Sequence, residues 1–126
     1  MIPKFRAYDS GSLCRMYSPE EVMVGNGDIW IIDEDGVAGE WIVNNDLALM
    51  QSTGLTDKNG KEIFEGDIID STDGFLTGVV EFRVSLGMFV SELVEYNNFE
   101  RLCNVASSRE IIGNIWEHPE LAEVSS

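Results

Sequence analysis

Short apolar runs alternate with clusters of Gly, Asn, Asp and Ser along the whole chain. That rhythm belongs to an antiparallel sheet, in which side chains alternate between faces and tight turns return the chain. Phe5 to Tyr8 reads as a strand, Asp9-Ser10-Gly11-Ser12 as a turn, and Leu13 to Tyr17 as the returning strand. Ser18-Pro19-Glu20-Glu21 places a Ser, a Pro and a Glu where they cap a short helical turn, which Gly25-Asn26-Gly27 then stops. Asp28 to Ile32 is rich in β-branched and aromatic residues and reads as a strand. Asp33-Glu34-Asp35-Gly36 reads as a turn, Val37 to Val43 as the return with Trp41 and Val43 on one face, and Leu47 to Gln51 as a strand or one helical turn.

Asp57-Lys58-Asn59-Gly60 carries strong turn chemistry, and Glu65-Gly66-Asp67 leads directly into the apolar pair Ile68-Ile69. Strands are expected from Ile68, over Leu76 to Val84 and at Met88 to Val90, with Ser71–Gly74 and Ser85–Gly87 as turns. In the middle run Val80, Phe82 and Val84 share one face and Glu81 and Arg83 the other. Glu92 to Val105 is ambiguous between helix and turn. Glu110 to Trp116 reads as the closing strand, with Gly113 marking a bend or close backbone approach, and Pro119 to Val124 as one or two helical turns. Phe82, Phe89, Trp116 and Ile68 are the expected core. The prediction is a mainly β protein: a β-rich region over 1–52, then an SH3-like small barrel over 53–126. A two-layer α+β arrangement is the alternative if Glu92 to Val105 is helical.

Charge changes the picture of partners more than of fold. The chain has 126 residues, 23 acids and 8 bases, a formal charge of −15. Between Glu20 and Asp46 there are eight acids and no base. Such a field keeps a protein soluble and repels nucleic acid, whose binding needs cations that displace counterions. The natural partner is a protein, and a basic one. No apolar run approaches the ~18 residues of a membrane helix, and none follows the N-terminus as in a signal peptide. Cys14 and Cys103 stand alone and read as buried or half-buried free thiols in a reducing cytoplasm.

Candidate chemistry is sparse. His118 is the single histidine, without a cysteine or second imidazole beside it, and reads as a surface residue at a strand-to-helix corner. Asp33-Glu34-Asp35-Gly36 and Asp57-Lys58-Asn59-Gly60 lack the ligand spacing of a calcium loop and read as turns. No nucleophile elbow or phosphate-binding loop is present, so no catalytic residue, metal or cofactor is expected. The remaining candidates are aromatic and acidic. Trp30 and Trp41 lie within the acidic stretch, where they either pack the N-terminal sheet or anchor a partner; with Asp28, Asp33, Glu34, Asp35 and Glu40 they form the candidate partner-binding set.

Several segments, in order, resemble one family. They are Phe5-Arg6-Ala7-Tyr8-Asp9, Met16-Tyr17, the long stretch from Leu49 to Ile69, Gly78-Val79-Val80-Glu81-Phe82, and Glu110 through Leu121. Together they resemble the YopX-like proteins of bacteriophages and prophages. The resemblance implies a β-rich N-terminal part, an SH3-like C-terminal region and a phage or prophage product made in the host bacterial cytoplasm. It implies no catalytic residue, substrate or cofactor, and none of the matching segments falls between Val22 and Asn45, so the acids there take no role from it. The expected function is a non-enzymatic acidic interaction module. The alternatives are a nucleic-acid mimic that occupies a host DNA-binding protein, an enzyme using carboxylate-bound divalent metal, or a self-assembling homo-oligomer paired through β edges.

Overall fold

Phe5–Asp9 (β1) and Arg15–Tyr17 (β2) form the first antiparallel pair in the computed structural model, which describes residues 4–11, 14–32 and 40–123. Asp9 closes the turn between them by accepting the Gly11 N–H at 2.9 Å. Pro19–Glu21 is a single 3-10 turn, and its cap is the expected one: the Ser18 N–H donates to Glu21 Oε1 at 3.0 Å, and the Glu21 N–H donates to the Ser18 carbonyl. The strands Val22–Gly25 (β3), Asp28–Ile32 (β4) and Trp41–Val43 (β5) make a three-stranded antiparallel sheet with β4 central. The helical turn expected to run on to Gly25 ends at Glu21 instead, because Val22–Gly25 pairs in register with β4 as a strand. The expected turn at Asp33–Gly36 and the first part of the strand expected over Val37 to Val43 lie outside the described residues.

The chain divides into two compact units, Met1–Gln51 and Ser52–Ser126. The strand Ala48–Thr56 (β6) crosses that boundary. Its first part pairs with β1, Ala7 opposite Leu49, and its second part pairs with Glu62–Phe64 (β7) across a register shift. In the first unit Ala7, Tyr17, Val22, Ile31 and Leu47 form the buried cluster, with Phe5 and Ile29 packed against it.

The second unit carries a five-stranded antiparallel sheet in the order β11-β10-β9-β8-β12, curled into a half-barrel. Its strands are Asp67–Asp70 (β8), Gly78–Arg83 (β9), Met88–Leu93 (β10), Phe99–Arg101 (β11) and Glu110–Asn114 (β12). Gly66 draws two of these strands toward one point, because its N–H donates to the Val80 carbonyl and its own carbonyl accepts the Ile115 N–H. Its φ of 85° is a backbone setting that side chains oppose. The following Asp67, 2% exposed, ties the loop down by accepting the Phe64 N–H. Ile63, Ile69, Val80, Leu102 and Ala106 fill the core, joined by Leu55, Phe89 and Ile111.

The ambiguous segment resolves into the end of β10, a turn, β11 and one short helix, Leu102–Val105 (α1). The molecule is therefore mainly β, and the α+β alternative falls. Four core expectations divide evenly. Ile68 is fully buried and Phe89 packs on the core, but Phe82 is 44% exposed and Trp116 38%. Phe82 lies beside the turn of the β9–β10 hairpin, with the Phe89 ring edge-on to it at 5.1 Å. Trp116 follows the last strand, in a turn made by Asn114. Both cysteines are free, as expected, but they are exposed rather than buried or half-buried. Among the described residues no helix is long and apolar enough to cross a membrane.

Candidate functional site

The β3–β4–β5 sheet has two faces of different fate. Asn26 and Gly27 turn β3 into β4 with φ of 54° and 79°, the positive values of the tight turn that suits a twisted hairpin. The register then sets Val22 opposite Ile31 and Ile31 opposite Ile42, while Met23 stands opposite Trp30 and Trp30 opposite Val43. Strand alternation sends Val22, Val24, Ile29, Ile31 and Ile42 to one face. Of these, Val22 and Ile31 are buried in the first unit's core. The other face receives Met23, Trp30, Ile32, Trp41 and Val43. No residue of this second set belongs to the buried core: Met23 is 48% exposed, Val43 44%, and Trp30, Ile32 and Trp41 are half-buried.

Trp30 pairs with Val43 and Ile32 with Trp41, so the two indoles are diagonal neighbours across β4 and β5. That relation puts large side chains within reach of one another. The Trp30 indole N–H points back along the hairpin to the Gly25 carbonyl at 3.4 Å. The result is a row of five large apolar side chains on the outer face of a sheet, the kind of patch that marks an interaction surface.

The acidic candidates are placed unevenly. Asp28 begins β4 and its Oδ1 accepts from the Asn45 side chain at 2.9 Å, while Asn45 Oδ1 accepts the Ile29 N–H at 2.8 Å. Asp28 therefore fastens the loop after β5 to the start of β4. Glu40 is exposed and immediately precedes Trp41. Asp33, Glu34 and Asp35 lie outside the described residues. The structure thus brings Trp30 and Trp41 together and adds Met23, Ile32 and Val43, which sequence reading missed. Asn26-Gly27, flanked by apolar residues, was the signal that would have found β3 and its Met23.

The other chemical candidates are accounted for locally. Asp57 is a turn residue, 4% exposed, whose carboxylate accepts N–H groups from Asn59, Lys61 and Ile111. Burial pushes its carboxyl up, but those three donors outweigh burial and hold it below the usual carboxylate range. His118 is half-buried rather than a simple surface residue: Nδ1 accepts the Asn114 N–H at 3.3 Å, and the ring lies against Gly113. Glu81 is pushed above the carboxylate range by burial and by its hydrogen bond and repulsion with Glu92, against the pull of Arg83. Glu81 and Glu92 stay open to solvent, with side chains 49% and 38% exposed. Among the described residues no three His, Cys, Asp or Glu side chains gather as metal ligands.

Comparison with known proteins gives kinship but no activity. No curated protein matches the sequence. The chain is similar to the crystal structure of protein EF1440 from Enterococcus faecalis, with 29% identity over 98% of this chain and 99% of that one and a TM-score of 0.64. It shares its fold with the X-ray structure of protein yopX from Bacillus subtilis, at 20% identity, 94% and 96% coverage and a TM-score of 0.59. A model of the YopX protein family matches residues 4–123, nearly the whole chain, and on that match the chain belongs to the YopX family.

Proposed function

We propose that this YopX-family protein is a non-enzymatic, acidic docking module that binds a basic host protein in the cytoplasm through the outer face of its β3–β4–β5 sheet. The observation that carries the reading is the placement of Trp30 and Trp41 as diagonal neighbours on a face outside the core. Tryptophans in such positions are the side chains that most often dominate binding energy. The segment that builds the sheet carries eight acids and no base, so a partner with a cationic rim around an apolar centre is the complementary one.

Affinity capture from bacterial lysate with the native chain, Trp41→Ala and Trp30→Ala tests this. A partner held at low and moderate salt should be weakened about 30-fold or more by either substitution, since interface tryptophans are commonly worth about 2 kcal/mol or more. Circular dichroism should show both variants folded. Capture that ignores both tryptophans but collapses with modest salt would support a mimic of nucleic acid instead.

A further inference from the structure

The edge of β3 offers a second recognition element, and we propose that it takes an extended segment of the partner as an added strand. This rests on reading the first unit as a docking module, and it names the way a partner chain would be held.

The backbone geometry fixes which groups are spare. The Asn44 N–H donates to the Ile29 carbonyl, so Ile29 faces β5 and its neighbours Asp28 and Trp30 face β3. Met23 and Gly25, their partners in register, therefore spend their N–H and C=O groups on β4. Val22 and Val24 turn theirs the other way. β3 is an outer strand of its sheet, and among the described residues no hydrogen bond reaches those outward groups. Such a row of unpaired donors and acceptors is a template for strand addition.

A groove of about 550 Å³ runs beside the same strand. Val22, Met23 and Val24 all line it, together with Lys4, Phe5, Pro19 and Glu20. Successive strand residues point to opposite faces, so a groove touched by all three must follow the strand's edge rather than either face. An added strand would lie about 4.8 Å from β3, inside this groove. Its alternate side chains would meet Phe5, Pro19 and the Val22–Val24 side chains.

Charge selects the occupant. Exposed Glu20 stands just before β3 and Asp28 follows its turn, while Lys4 lies on the Phe5 side of the groove and Glu21 is paired with Arg15. A second copy of this chain would bring its own Glu20 and Asp28 to the ends of the new ladder, and like charges there oppose that pairing. A segment with apolar residues at alternate positions and Lys or Arg at both ends answers the groove and the charge together.

The test is titration of the full chain with a fluorescent synthetic peptide having valine at alternate positions, threonine between and Lys-Arg at both ends. Three changes should each weaken binding about tenfold or more: N-methylation of the peptide amides, Glu in place of its terminal cations, and Val24→Pro in the protein. Val24→Pro removes an outward N–H and leaves the Met23 and Gly25 bonds to β4 in place. The N-methylated peptide keeps the test valid if that variant folds poorly. No binding, or binding indifferent to N-methylation, overturns the proposal. So does a dimer, seen by light scattering, that Val24→Pro dissolves, because a second copy would then own the edge. Failure here with a tryptophan-dependent lysate partner retained would remove strand addition alone. Peptide binding at the edge with neutral tryptophan variants would remove the face reading alone.

Discussion

Asp57 shows how a single residue can look like a ligand and act as a rivet. Its carboxylate closes the Asp57–Gly60 turn through Asn59 and Lys61 and reaches a distant strand through Ile111, at 2.9, 2.9 and 3.0 Å. Asp57→Asn should cost about 2 kcal/mol at neutral pH, because a charged acceptor of three part-buried bonds becomes a neutral one. The folded carboxyl sits below its unfolded value near 3.9. Its stabilisation is therefore complete above that value and is lost as pH falls through the folded one. Urea titrations should show the gap between native and Asp57→Asn proteins wide at pH 7 and shrinking steadily below about pH 4. A second rivet is steric. A Cβ on Gly113 would stand 2.7 Å from His118 Nδ1 and 2.9 Å from its Cγ. Gly113→Ala should destabilise by about 1–3 kcal/mol, and adding His118→Ala should recover part of that loss, which thermal melts of the two variants would reveal.

At the level of elements, the β9–β10 hairpin carries an electrostatic fault. Glu81 and Glu92 are diagonal neighbours on its outer face, with Arg83 paired to Glu92 and 3.9 Å from Glu81. The Glu81 carboxyl is raised in the folded state, so its contribution favours folding at low pH and is lost as pH rises through its folded value. Glu81→Gln should therefore stabilise the protein at neutral pH by a few tenths of a kcal/mol, a small effect because the group is half exposed. The gain should vanish below about pH 4, where native Glu81 is itself protonated. Denaturation midpoints of both proteins at the two pH values decide this. The helix at Leu102–Val105 belongs to the same scale: its four residues are too few to stand alone, and it persists because Leu102 is fully buried.

Over the whole molecule, 23 acids against 8 bases make self-repulsion a global cost. Raising sodium chloride from about 10 mM to about 300 mM shortens the screening length several-fold. Native-state stability should rise by about 1 kcal/mol over that range, read as an upward shift of the thermal midpoint. A flat or falling midpoint would mean that the acids are locally compensated, as Glu21 is by Arg15 and Glu100 by Arg109.

Local chemistry along the chain was enough to determine the class of fold, most turns and the capped turn at Ser18, because those depend on residues a few positions apart. It also determined the negative field, which is a sum over composition. The family kinship was readable for the same reason: the matching runs are contiguous. Pairing was not readable. β3 went unseen because Val22–Gly25 is short and gains its strand character from Trp30 and Ile29 across the hairpin. The apolar face was hidden likewise: Met23, Trp30, Ile32, Trp41 and Val43 are scattered along the sequence and share a surface only once register is set. The core status of Phe82 and Trp116 also depended on where the half-barrel ends, which alternation along one strand does not encode. What tertiary structure alone decided is which of two apolar faces supplied Val22 and Ile31 to the core and which, carrying Trp30 and Trp41, stayed outside it.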